Sequence, residues 1–597
     1  MVATYVSIPA VCFASLLIGQ AAIALCGRRE WSWLSPAVGL SLLLWLVWMT
    51  ARLPGEGLTA GLSALGASIA AGAYLRGRVS GLGNAARAGL PVGALALLAV
   101  SIPFIAEGHF GILGTSFNPD MSQHLLAATR LGDGDASQLS TQGYPLGPHG
   151  IAVALEGGLG VALVQGFSGL TAAVSILAAL TALGLFTDAR PVQRTVGALL
   201  VGLPYMVVSY LAQGAFKETM QALFVLAFAL ALHEAGRGRP SEDRTLAAIP
   251  LALIAAGSVF AYSFAGLAWL LGAAGVWAVV VLIRRRDMLR VLKVSARPFA
   301  FTLVAFAVLA GPEFGRMLDF REFETFDPAG PGLGNLFGQI SPFESLGIWP
   351  SGDFRLTPGD GAVPAFGYYL GAALGLVLLL VGLIASVRAG AVALPSALAA
   401  AAAIYLAARI GGTPYQAAKA VEIAAPVAMA VIVVPLVTSQ IPLPSERGRL
   451  GYRLAGGVFA VVALACSVLA LANAPVGPTD YSSKLTELRS LVGADSTFVL
   501  ASDELLDEQH GTPYLAWELR GGRVCIAPEW RAGGPPPRGV RFVITDAGSG
   551  ERPPFRSLRL LRRPAPYLLW ERIGPIERRS DCPLIAVREA RRGSALD

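Results

Sequence analysis

Asp120 and His124 place a carboxylate and an imidazole four residues apart at the start of a polar stretch that follows several apolar runs. Asn118 suits a helix N-cap and Pro119 the first helical position, so the pattern predicts a helix from about Pro119 to Arg130. Its periodicity sets both side chains one turn apart on one face and Met121, Leu125 and Ala128 on another, apolar face. A carboxylate in a first turn is favoured in its ionised form by the helix dipole, which suits a group that orients or deprotonates an attacking hydroxyl. An aspartate that only caps a surface helix is the bland alternative. Tyr144 and His149 follow in a turn rich in proline and glycine and add a second imidazole. A divalent metal is possible at Asp120 and His124, but two ligands do not define a site, and no cofactor is expected.

Three further clusters stand where apolar sequence leaves them unexplained, and ionisable groups near membrane depth are costly enough to be candidates by default. Gln213, Lys217 and Gln221 are expected on one helical face, with Glu218 beside them. Lys217 has the chemistry to hold a phosphate as a point charge, or to form an interfacial pair with Glu218. Tyr415, Lys419 and Glu422 follow an i, i+4, i+7 pattern after Arg409 and a Gly411–Gly412 break, which reads as a phosphate cradle or as snorkelling anchors. In the long segment 313–364, Trp349 and Phe354 have the faces to stack on a sugar, and Asp353 and Arg355 the polar atoms to bind hydroxyls or phosphate. Packing of that segment as a lid is the alternative reading.

The elements that must position these residues are membrane spans. The 597 residues are 54% hydrophobic and only 14% charged, with a mean hydropathy of +0.60. Apolar runs of membrane length begin near residue 5 and recur to about 473. Placing the basic loops on the cytoplasmic side gives about 14 spans and leaves the Asp120 segment, the break at 213–217, the 313–364 loop, the Arg409–Lys419 stretch and the tail outside. The expected fold is thus an α-helical polytopic membrane protein with a C-terminal extracytoplasmic α/β soluble domain. It divides as 1–106 amino-terminal helices, 107–167 first outer loop with a surface or re-entrant helix, 168–312 central helices, 313–364 long outer loop, 365–474 last helices and 475–597 soluble domain. The first run lacks a basic n-region and a cleavage site and is read as a retained helix.

The net charge of +7 is dispersed in short loops, so membrane topology explains it better than a nucleic-acid partner. No phosphate-binding loop ends in Gly-Lys-Ser, which argues against ATP-driven transport. The glycines at Gly330, Gly332 and Gly334 lack the strand and helix of a dinucleotide site. In the tail, a helix near 481–492 and strands near 497–501, 523–527 and 540–545 are expected. Cys525 and Cys582 lie there, and an oxidising compartment would permit a disulfide between them.

An acidic residue in the first large outer loop, the Tyr144, Pro145, Gly147, His149 turn, many spans and an outer C-terminal domain together resemble the glycosyltransferase C superfamily. The resemblance implies a polyprenyl-phosphate sugar donor used at the outer face of the cytoplasmic membrane and a glycan or lipid acceptor of the cell envelope. It gives Asp120 the carboxylate role, with His124 and His149 as neighbours, and gives Lys217, Arg409 and Lys419 the donor phosphate. Tyr144, Glu218, Tyr415, Trp349, Asp353 and Arg355 are then expected to contact substrate. Four spans precede the acidic loop here, whereas superfamily members usually have one. The rival class is a transporter, flippase or polymerase-like protein for envelope lipids. Such proteins carry charges near the midplane of broken helices, while the candidates here gather at one face.

Overall fold

The computed structural model describes residues 2–113, 120–135, 137–237, 246–284, 288–323, 332–334, 336–438, 446–477, 483–493, 497–500, 517–520, 522–526, 538–546, 556–565 and 567–577. Apolar runs become helices throughout, and ten helices among the described residues are long and apolar enough to cross a membrane. Pro191–Gly202 and Tyr205–Ala212, bent by 53° at Leu203–Pro204, make an eleventh if taken as one broken span. The protein is therefore an α-helical multi-pass membrane protein.

Three more stretches complete the helices expected from sequence. Ser35–Thr50 is apolar but has only 16 residues, and Lys217–Arg237 carries charge in its first turn. The third is hidden within Ile249–Arg284, where Ser263 leaves helical geometry (φ 58°, ψ −155°). Gly266 packs against Ser258 Oγ, although eight residues of continuous helix would separate them by about 12 Å. The chain doubles back at Ser263, and Gln221 ties the two arms by accepting from Ser258 Oγ (2.7 Å) and donating to the Gly266 carbonyl (2.9 Å).

Two helices lie at the centre of the bundle. Leu163–Ala182 and Pro414–Thr438 are buried along nearly their whole length, whereas Glu56–Leu75 exposes most of its surface. The first two helices pack through small residues: a Cβ on Gly19 would lie 2.7 Å from the Gly39 nitrogen, and one on Gly39 would lie 2.8 Å from the Gly19 nitrogen. Close backbone approach of this kind replaces the hydrophobic driving force that lipid does not supply. Arg28, just beyond the first helix, pairs with Glu234 (2.5 Å) near the end of Lys217–Arg237. That pair lies at the bundle end opposite Lys217.

The tail forms the α/β unit expected, with a helix at Ser483–Val492. Strand β1 (Ile112–Leu113) pairs antiparallel with β2 (Val476–Gly477), joining the tail's root to the chain before Asp120. The main sheet contains β3 (Thr497–Leu500), β4 (Arg523–Ile526), β5 (Phe542–Asp546), β6 (Leu558–Arg562) and β7 (Tyr567–Arg572) in the order β4-β3-β5-β7-β6. The first three are parallel and the last two antiparallel. Strands β6 and β7 are additions to the sequence reading.

Replacing Gly39 by leucine forces the first two helices apart. We expect a lower thermal midpoint in detergent and a loss of about 1–3 kcal/mol, the usual cost of overpacking. An unchanged midpoint would show that this contact is not close.

Candidate functional site

A helix spans Asp120–Gly132, with Met121, Leu125 and Ala128 buried as its periodicity places them, while the expected cap Asn118 and Pro119 lie outside the described residues. Asp120 is its first residue, but the Asp120 side chain lies outside the described residues. His124, one turn on, faces the interior. The neighbouring Leu126 packs against the tail's core of Leu485, Leu488 and Phe542. The helix is thereby clamped between bundle and tail.

His149 sits early in the helix Gly147–Leu159, fully buried. Its Nε2 meets His124 Nδ1 at 3.1 Å, so one ring donates and the other accepts. Phe216 packs edge-on to both imidazoles, and Phe167 encloses His149. Burial holds both rings well below the ordinary histidine range, and the Lys217 cation pushes each further down. Two neutral imidazoles in contact are a hydrogen-bonding pair with capacity left over, since His149 Nδ1 has no partner among the described residues.

Tyr144 is fixed from behind. Gly143 (φ +70°) lies against the backbone of Arg316 and Phe320, with no room for a Cβ. Arg316 donates to the carbonyls of Ser140 (2.7 Å) and Tyr144 (2.5 Å) and to Glu313 (3.0 Å), which also accepts from Trp48 Nε1 (2.5 Å). Phe320 and Phe323 cover the Tyr144 ring. The Lys217 ammonium lies over that ring, 4.1 Å from its centroid, a cation–π contact.

Gln213 does not share a helical face with Lys217. The preceding helix ends at Ala212, Gly214 takes a positive φ of 75°, and a new helix starts at Lys217. This break sets Lys217 and Glu218 in a first turn at the site. Glu218 accepts from Lys419 Nζ (3.1 Å), with both side chains nearly sealed from solvent. Lys419 also lies over the Tyr415 ring at 4.0 Å. Glu422, the next turn along, is fully buried, and neither carboxylate oxygen is hydrogen-bonded among the described residues. Tyr210 and Tyr262 come within electrostatic reach of Glu218, Lys419 and Glu422. His124 in turn feels both Lys217 and Lys419.

His124, Tyr144, His149, Lys217, Glu218, Tyr415 and Lys419 thus converge from four separated stretches. Arg409 does not join the lysines. It ends the preceding helix, stays exposed and reaches Gln339 (3.4 Å), because the chain turns at Gly412 before the Lys419 helix begins. Trp349 is buried edge-on against Tyr368, and Asp353 grips Arg355 with both oxygens. These four belong to a different region. Cys525 is disulfide-bonded, while Cys582 lies outside the described residues. No group of three or more His, Cys, Asp or Glu side chains able to hold a metal occurs among the described residues.

Arg316, Tyr210 and Tyr262 were not singled out from sequence, and Glu313 and Phe216 were named only as members of the long loop and of the 213–218 break, without a role. The tyrosines sit in apolar runs, where nothing in the sequence separates them from packing residues; Tyr262 ends its helical arm just before the break at Ser263. No protein-family model matches the chain, and no curated protein matches it. Among solved structures the chain is similar to ArnT from Cupriavidus metallidurans bound to undecaprenyl phosphate. The identity is 14% and the TM-score 0.44, over 81% of this chain and 98% of that one. A likeness of that degree carries no argument about what this chain binds.

The two imidazoles predict a pH dependence of stability. Their folded pKa values lie below the unfolded value of 6.5, so as pH falls below 6.5 the unfolded chain takes up protons that the folded chain refuses, and stability is lost. We expect His149→Gln to flatten the fall in thermal midpoint between pH 7.5 and 5.5. An identical fall in the variant would mean that His149 is not held neutral.

Proposed function

We propose that this protein is a membrane glycosyltransferase that moves a sugar from a polyprenyl-phosphate donor to an envelope glycan or lipid acceptor at the outer face of the cytoplasmic membrane. The observation that carries the reading is the meeting of Lys217 and Lys419 with the His124–His149 pair in one enclosed place at one end of the bundle. Two cations lying over tyrosine faces, Lys419 also paired with Glu218, have the charge to receive a phosphate leaving group. Asp120 opens its helix one turn before His124 in sequence, where the helix dipole would favour an ionised carboxylate. In the reaction the acceptor oxygen attacks the anomeric carbon and the carbon–oxygen bond to phosphate breaks. The electron pair leaves with the polyprenyl phosphate, and the hydroxyl proton passes to the Asp120 carboxylate. Direct displacement inverts the anomeric centre. A donor whose energy lies in its phosphate ester requires no nucleotide at the site.

Two variants test the two halves of this scheme. Asp120→Asn is expected to lower transfer from a polyprenyl-phosphate sugar by about 10²–10⁴-fold with unchanged expression, and full activity would remove the proposed base. Lys419→Met alone would strand Glu218 as a buried bare charge, so it is paired with Glu218→Gln. The double variant should fold, yet lose transfer through both kcat and KM. Retained turnover would show that Lys419 does not meet the phosphate.

A further inference from the structure

A cavity of about 500 Å³ lies between residues 336–358 of the long loop and the helices Ala365–Arg388 and Ala393–Gly411, and neither lysine lines it. Ile340 and Tyr405, which line it, also pack on the cluster containing Tyr210, so the two places stand on either side of that tyrosine. We propose that this cavity is a binding site for a saccharide carrying an anionic group. Its volume is that of a small-molecule site and accommodates about two sugar rings. Phe354, Tyr369 and Tyr405 supply flat apolar faces, and Gln339, Ser341 and Thr357 supply an amide and hydroxyls for ring hydroxyls. The charge comes from Arg409. Arg355 is already neutralised by Asp353, whereas Arg409 has no carboxylate partner among the described residues and makes one long bond to Gln339 Oε1. A planar guanidinium at the rim of an aromatic pocket selects a carboxylate or phosphate on the ligand.

Glu344 would oppose an anion there if it were charged. Its carboxyl is enclosed, with Oε1 accepting from the Ser341 N–H (2.9 Å), and burial pushes its pKa up to about 8 against the effect of that bond. Tyr205 and Tyr368 come within electrostatic reach of it from neighbouring helices, Cys466 and Asp360 lie near Tyr368, and Arg355 and Arg409 share the cavity. None supplies a close cation, so the group holds its proton at neutral pH. Above about pH 8 it becomes a carboxylate and repels the ligand.

As the place for an acceptor this cavity rests on the transferase reading, but binding is measured without donor. Purified full-length protein in detergent is titrated calorimetrically with uronic-acid and phosphorylated disaccharides, their neutral counterparts, and farnesyl phosphate. We expect an acidic disaccharide to bind about ten-fold or more tighter than its neutral counterpart, Arg409→Gln to erase the difference, and binding to weaken several-fold from pH 7 to 9. Glu344→Gln should remove that pH effect. Equal affinity for acidic and neutral sugars, no binding by any disaccharide, or Arg409-dependent binding of farnesyl phosphate in their place would each overturn the assignment. Asp120→Asn should bind as the parent does, so a failed base and a failed pocket give different results.

Discussion

A buried ammonium cannot be left bare, and the pairing of Lys419 with Glu218 is the constraint around which the site is built. The two groups come from helices some two hundred residues apart in sequence, at the same end of the bundle and nearly sealed from solvent. Removing one partner of such a pair costs about 3–5 kcal/mol, while exchanging both for apolar residues is often neutral. Stability alone therefore does not explain the pair. A cation kept enclosed, on one carboxylate and one aromatic face, is held ready for a stronger anion. Glu422, one turn deeper and without a hydrogen bond among the described residues, lies next to the same ions.

The rest of the architecture keeps that arrangement in place. The break at Gly214 starts a helix with Lys217 and Glu218 in its first turn, and the arm that ends at Ser263 carries Tyr262 at its end, within electrostatic reach of Lys419 and Glu218. Ser263 is a buried non-glycine residue in a region of backbone space that costs about 1–3 kcal/mol. Arg316 and Glu313 hold the Tyr144 turn from behind, so the ring beneath Lys217 is anchored through the loop 313–323 to Trp48. The tail contributes from the other side, through β1–β2 and Leu126.

Much of this was legible because charge in apolar sequence is expensive. His124, Lys217, Glu218, Tyr415, Lys419 and Glu422 stood out against their surroundings, and helical spacing alone put the last three on one face. The helix at Asp120 was legible from its apolar period, which put Met121, Leu125 and Ala128 on one buried face. What escaped depended on reversals rather than composition. Gln213 shares a period with Lys217, yet Gly214 puts them on different helices, and Arg409 lies ten residues before Lys419 but across a turn that directs it to the loop. Tyr210 and Tyr262 look like packing in any span until their neighbours are known. Strands β6 and β7 alternate charge and apolar residues too irregularly for a period-two pattern to emerge.

The most direct measurement is a cryo-electron microscopy structure with a non-hydrolysable polyprenyl-phosphonate sugar bound. Phosphorus is expected within ion-pairing distance of both Lys217 and Lys419, with the sugar between it and the Asp120 helix. Density for the phosphonate elsewhere, with the Lys419–Glu218 pair undisturbed and the lysines untouched by ligand, would contradict it.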